Sequence, residues 1–202
     1  MTPVTVRDAR ANDAGRIAEI ARASWSETYR DIFEPSFIED FLARNYVPDD
    51  LARGAERAAE RDGAHFLVAE RDGMVVAFAQ YGSGHRGPEL FRIYADPAHY
   101  GTGAGSALLG ELHRRLRGTV DGYLVDVHSR NERGRVFYDR QGFVVVGGGS
   151  TPDCDLTLRR ALEVGLAPAA GHAHGVGTPP QPQHGEDPDE RPQRQDAEGD
   201  RP

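Results

Sequence analysis

Before a leucine-bearing segment, Leu108 to Leu116, the chain runs Tyr100-Gly101-Thr102-Gly103-Ala104-Gly105-Ser106. Glycines at the start of a helix let backbone N–H groups turn inward at the positive end of the helix dipole, which is how phosphate oxygens are held. Thr102 offers a hydroxyl beside those amides. Two phosphate sites are excluded by the residues themselves. A dinucleotide fingerprint needs a third glycine where Ser106 stands and a tight strand-to-helix turn, which Asp96-Pro97 interrupts. A nucleoside-triphosphate loop ends in Gly-Lys-Ser/Thr, and this chain has no lysine. Taken alone, the cluster is also compatible with a tight connection that binds nothing.

A second motif, Asn131-Glu132-Arg133-Gly134-Arg135-Val136-Phe137-Tyr138-Asp139-Arg140-Gln141-Gly142-Phe143, opens a helix directly after a strand and closes it with a glycine. Together the two motifs resemble the GNAT superfamily of N-acetyltransferases. That pattern is an Arg/Gln-x-x-Gly-x-Gly/Ala loop for the pyrophosphate of acetyl-coenzyme A, then Asn, a small residue, Phe-Tyr and Gly-Phe. Phe91 to Pro97 is similar to the family's strand that hydrogen-bonds pantetheine through its backbone. The resemblance spans roughly Val4 to Arg160 and departs at Tyr100, where the family has Arg or Gln. It implies a mixed, mostly antiparallel central sheet flanked by helices, with acetyl-coenzyme A as co-substrate and no metal. The cofactor site it implies comprises Ile93, Tyr94, Ala95, Tyr100, Gly101, Thr102, Gly103, Ala104, Gly105, Ser106, Asn131 and Tyr138.

Acetyl transfer to an amine needs a polarised thioester carbonyl, a neutral amine and a proton for the departing thiolate. By resemblance, the main-chain N–H groups of Ile93 and Ala95 polarise the carbonyl and Tyr138 is the general acid, its phenol pKa being ~10. Core packing or a pantetheine contact is the alternative for Tyr138, and helix capping for Asn131. A primary amine is neutral in roughly one molecule per thousand near neutral pH. Glu89 is the first candidate to take its proton, placed by strict strand alternation on the face of Phe91 and Ile93. Asp126 and His128 share a face of the next strand and are alternatives. Trp25, Tyr29 and Glu27 fall in the region that shapes the acceptor pocket in this family, where aromatic walls and carboxylates suit a cation. Trp25 to Tyr29 followed by Phe37-Ile38-x-x-Phe41-Leu42 further resembles bacterial polyamine acetyltransferases, which ranks a small cationic amine first. Acetylation of a protein amino group or an aminoglycoside, and a non-catalytic acyl-coenzyme A sensor, are the competing readings.

The elements that must position these residues read as a mixed α/β domain. A strand at Val4 to Arg7 precedes a helix with Asn12 or Asp13 as its cap and Ile17, Ile20, Ala21, Ser24 and Trp25 at helical spacing. Pro35 and Pro48 open two further helices. Strands His65 to Glu70 and Met74 to Gln80 flank the hairpin signal Arg71-Asp72-Gly73. A loop is expected at Gly82 to Pro88, then a strand to Ala95, a helix carrying Leu108, Leu109, Leu112 and Leu116, and a strand from Tyr123 to Val127. The helix Glu132 to Gln141 and strands near Phe143 to Val146 and Cys154 to Leu158 complete the domain, assigned to residues 1–162.

The remainder, 163–202, is rich in Pro and Gly, acidic and free of aromatics, so it is expected to be a disordered tail. Its His172, His174 and His184 are read as solvated side chains. A net charge of -8 on 202 residues argues against nucleic acid or an anionic membrane as partner. One cysteine, Cys154, excludes an internal disulfide. No leader pattern follows Met1 and no apolar run is long enough to span a bilayer, so a cytoplasmic enzyme is expected. The resemblance also allows a homodimer.

Overall fold

A computed structural model describes residues 2–149 and 154–163. Its strands are β1 (Thr5–Asp8), β2 (His65–Arg71), β3 (Met74–Gly84), β4 (Gly87–Ala95), β5 (Gly122–His128), β6 (Val144–Gly148) and β7 (Asp155–Ala161). Its helices are α1 (Ala14–Tyr29), α2 (Pro35–Asn45), α3 (Pro48–Glu60), α4 (Ala104–Leu116) and α5 (Glu132–Arg140). The strands form one sheet in the order β1-β2-β3-β4-β5-β7-β6, antiparallel except where β4 lies parallel to β5. The expected tail and its histidines lie outside the described residues.

Both faces of the sheet are covered, which is why β2 and β3 read as continuous apolar runs rather than alternating ones. Leu67, Ala69, Ala77 and Ala79 pack with Leu108, Leu109 and Leu112 of α4. Phe66, Val68 and Phe78 pack on the opposite face with Ile17, Ile20 and Ala21 of α1 and Leu51 of α3. Asp72 and Gly73 take positive φ values of 52° and 76° in the predicted β2–β3 turn.

Three local expectations are corrected. Asp13 does not cap α1 with its side chain; its carboxylate accepts from the Arg10 amide and from Arg7. The predicted loop from Gly82 to Pro88 is a hairpin in which the strands stay paired to Gly84 and Gly87. Phe91 interrupts the alternation of β4. Gln80 pairs with Arg92 but Tyr81 pairs with Leu90, so Phe91 is the extra residue of a bulge. Leu90 and Ile93 therefore both join the α4-side core, and Glu89 faces away from Ile93 instead of sharing its face.

Candidate active site

The bulge lies just beyond the one registered pair between β4 and β5, Glu89 opposite Leu124. A bulge bends its strand, and past it the two parallel strands part. The opening is a cleft of about 700 Å³, with Ile93, Tyr94 and Ala95 on one wall and Val125, Asp126 and Val127 on the other. The β4 backbone serves that cleft. The Asp96 amide donates to the Val76 carbonyl at 2.8 Å, making that pair a hydrogen-bonded one. Bonded and open pairs alternate along an antiparallel ladder. Ala77/Ala95 and Ala79/Ile93 are thus open pairs, whose β4 main-chain groups turn toward β5.

The glycine loop forms the rim. Gly101 and Gly103 adopt φ values of 73° and 88°, and a Cβ on either would meet nothing within 4 Å, so the space above the loop is open. Gly103 precedes α4, whose first intrahelical geometry leaves the amides of Gly103, Ala104, Gly105 and Ser106 without backbone acceptors. Such a rim fits the oxygens of a diphosphate. Thr102 does not line it; its hydroxyl donates to the His99 carbonyl at 2.8 Å, which commits its proton elsewhere. Tyr100 lines the cleft, with its hydroxyl 3.2 Å from Ser24 Oγ and the Arg133 guanidinium carbon 4.2 Å from its ring centre.

Helix α5 closes the other side. Asn131 caps it by accepting from the Gly134 amide at 2.9 Å, and its Nδ2 donates to the Tyr29 hydroxyl at 3.3 Å. A Cβ on Gly134 would lie 2.8 Å from Asn131 Nδ2, so a side chain there would have to displace the capping amide. Phe137 packs so near α4 that a Cβ on Gly105 would stand 3.2 Å from its ring. Tyr138 is buried and still lines the cleft, its ring 5.0 Å from that of Phe143. Burial pushes its phenol well above the usual value, with Tyr29 and Asp126 adding to the effect. Burial likewise raises Tyr29 and Tyr94.

The charged candidates are distributed differently from the sequence expectation. Glu89 is buried outside the cleft lining, and its Oε1 accepts from Arg86 Nε at 2.7 Å. The same guanidinium holds Asp126, which does line the cleft, at 2.7 Å, while Thr157 donates to Asp126 at 2.8 Å. His128 is buried edge-on to Phe33, and its Nδ1 accepts from the Arg130 amide. Of the acceptor residues, Tyr29 lines the cleft. Trp25 is buried behind it, 4.4 Å from Tyr29 and 4.2 Å from Phe41 between ring centres. Glu27 points to Arg30 at 3.5 Å, outside the lining. Ser24, Thr28 and Arg133, which the sequence reading did not offer as site residues, also line it. Arg133 was detectable from its position two residues after the α5 cap, Ser24 only from the three-dimensional approach of α1.

Comparison with known proteins agrees with this geometry. Residues 62–145 match the acetyltransferase (GNAT) domain family. An uncharacterized N-acetyltransferase of Mycobacterium tuberculosis is 31% identical over 140 residues, 67% of this chain and 85% of that protein. A spermidine N(1)-acetyltransferase of Thermoplasma acidophilum is 28% identical over 144 residues, 70% of this chain and 89% of that protein. Among solved structures, the PaiA N-acetyltransferase of Thermoplasma acidophilum in complex with coenzyme A superposes with a TM-score of 0.72 at 24% identity, covering 79% of this chain and 99% of that one. A putative acetyltransferase of Salmonella typhimurium with acetyl-coenzyme A gives a TM-score of 0.62 at 22% identity, covering 84% and 100%. These two likenesses speak to the fold, and the sequence relatives to descent: the chain belongs to the GNAT family of acetyltransferases, and is an acyltransferase.

Proposed function

We propose that this enzyme transfers acetyl from acetyl-coenzyme A directly to a primary amine, with a small cationic amine as the preferred acceptor. The observation that carries the reading is the cleft between the splayed β4 and β5, with a row of unpaired amides at its rim and a buried tyrosine within it. Support for the acceptor class comes from the spermidine acetyltransferase relative. Tyr29 presents its ring in the cleft lining, backed by Trp25 and followed outward by Phe33 and Phe37, and such a ring face suits a cation.

The co-substrate supplies an acetyl thioester; the amine nitrogen bonds to the acetyl carbon, the carbon–sulfur bond breaks, and the thiol is freed. The amides of Gly103, Ala104, Gly105 and Ser106 bind its diphosphate, and Asn131 borders the arm that follows. Ile93 and Ala95 present main-chain groups to the thioester carbonyl. Tyr138 gives its Oη proton to the departing sulfur, and the proton released by the acylated nitrogen restores the phenol, directly or through water. Cys154 lies outside the cleft lining, consistent with transfer that does not pass through an acyl-enzyme. Glu89, committed to Arg86, anchors the β3–β4 hairpin in this reading, and the acceptor enters as its neutral minority form.

The test is thiol release from acetyl-coenzyme A over a panel of polyamines, amino acids, aminoglycosides and lysine peptides. Turnover confined to di- and polyamines is expected. Preference for peptides or aminoglycosides would replace the acceptor class, and coenzyme binding without release for any amine would favour a sensor.

A further inference from the structure

We propose that Arg133 and Tyr100 form a cationic clamp for the coenzyme diphosphate, the guanidinium supplying charge and the phenol ring holding it in place. The proposal rests on the reading of the cleft as the acetyl-coenzyme A site. A diphosphate carries net negative charge, whereas amides supply only dipoles. The loop from Pro97 to Ser106 contains no arginine, and the chain contains no lysine. The permanently charged cations lining the cleft are Arg92, Arg133 and Arg140, with His99 of the loop as a further basic side chain.

Position separates them. Arg92 lies over the Tyr46 ring and donates to the Asn45 carbonyl, away from the loop. Arg140 stands at the far end of α5, beside Gln141, which donates to Ser106 Oγ at 3.0 Å, so it too is near the loop, but among the described residues it is Arg133 that stacks on a ring of that loop. Arg133 lies in the first turn of α5, exposed, with its guanidinium carbon 4.2 Å from the ring centre of Tyr100, the residue directly before Gly101. The Tyr100 hydroxyl meets Ser24 Oγ, so the ring is held from α1 while the arginine reaches it from α5. Among the described residues Arg133 has no carboxylate partner, unlike Arg7, Arg16, Arg86 and Arg115. Stacking fixes the guanidinium plane and leaves its N–H edge free for phosphate oxygens.

The test measures binding of coenzyme A, 3′-dephospho-coenzyme A and pantetheine to the wild type, Arg133→Ala, Arg133→Lys and Tyr100→Leu, by calorimetry or, for pantetheine, NMR titration. Arg133→Ala is expected to weaken both diphosphate ligands about tenfold and leave pantetheine within about twofold. Arg133→Lys recovers part of the loss, and Tyr100→Leu shows a smaller loss of the same selectivity. Unchanged coenzyme affinity in Arg133→Ala overturns the clamp. So does a loss absent with the dephospho ligand, which would assign the arginine to the 3′-phosphate, or an equal loss with pantetheine, which would make its role structural. A wild type that binds none of the three overturns the coenzyme reading itself, and the clamp with it.

Discussion

Replacing Tyr138 with phenylalanine removes one oxygen atom and keeps the ring. Its contacts with Phe143, 5.0 Å between centres, and Phe137, 5.4 Å, survive the change. Stability is therefore expected to move by less than about 1 kcal/mol. Burial raises the phenol pKa above its ordinary value, so at neutral pH Tyr138 is fully protonated and poised to donate rather than accept. Positioned acids of this kind contribute about 10²–10⁴-fold. A thiol with a pKa near ~8.5 leaves tolerably without help, which puts the expected loss at the low end, about 100-fold in kcat or ~2.7 kcal/mol of barrier. The assay is steady-state thiol release, with coenzyme affinity measured separately on the same folded variant. The pH dependence carries a sign of its own. The active phenol is the protonated one, so its raised pKa pushes any falling limb above pH ~10, and the wild-type rate with a saturating coenzyme climbs with pH as the amine loses its proton. A kcat within about threefold of wild type, with unchanged coenzyme binding, would refute the assignment of Tyr138 as the acid.

Gly103→Ala forces a side chain into φ 88°, at a strain of about 1–2 kcal/mol; a rise in the KM for acetyl-coenzyme A exceeding the rise for the amine is expected from paired saturation curves. Glu89→Gln should change kcat less than about threefold if that carboxylate serves the hairpin and not the amine, whereas a general base would lose at least about 100-fold. Arg86→Met strands the carboxylate of Glu89, whose side chain is 10% exposed, and should lower stability by about 2 kcal/mol in denaturant melts; adding Glu89→Gln should restore part of it. Glu111 is held at a pKa of about 2 by hydrogen bonds from Arg114 and Arg115. Its depressed pKa stabilises the fold above the unfolded carboxylate range, and that contribution is lost as the pH falls toward 2. Glu111→Gln should thus narrow the stability difference between pH 6 and pH 2, by less than about 1 kcal/mol because these side chains are screened by solvent.

The local geometry of the half of the cleft proposed to hold the coenzyme was legible because its determinants are local. Positive-φ glycines before a helix, an Asn that caps the next one and a Tyr seven residues later all follow from spacing along the chain. The β2–β3 hairpin was legible for the same reason. The acceptor half was not, because it depends on contacts distant in sequence. Strict alternation set Glu89 beside Ile93, and the Phe91 bulge, a single unpaired residue with no side-chain signature, reversed it. Arg86 captures Glu89 from within the hairpin and Asp126 from a strand 40 residues away. Thr102 and Glu27 were offered as ligands by type, yet each is satisfied by a neighbour three residues off, His99 and Arg30. Trp25 was read as pocket wall and is packed behind it, since aromatic spacing on a helix does not distinguish the core from its margin.

The most direct test of acetyl transfer follows an isotope-labelled acetyl group from acetyl-coenzyme A in the presence of spermidine, with mass spectra of the amine, the coenzyme and the intact protein taken together. Direct transfer gives one labelled acetyl-amine per free thiol and a protein whose mass never changes. Label accumulating on the protein and passing from it to the amine, or thiol release without any acetyl-amine, would contradict it.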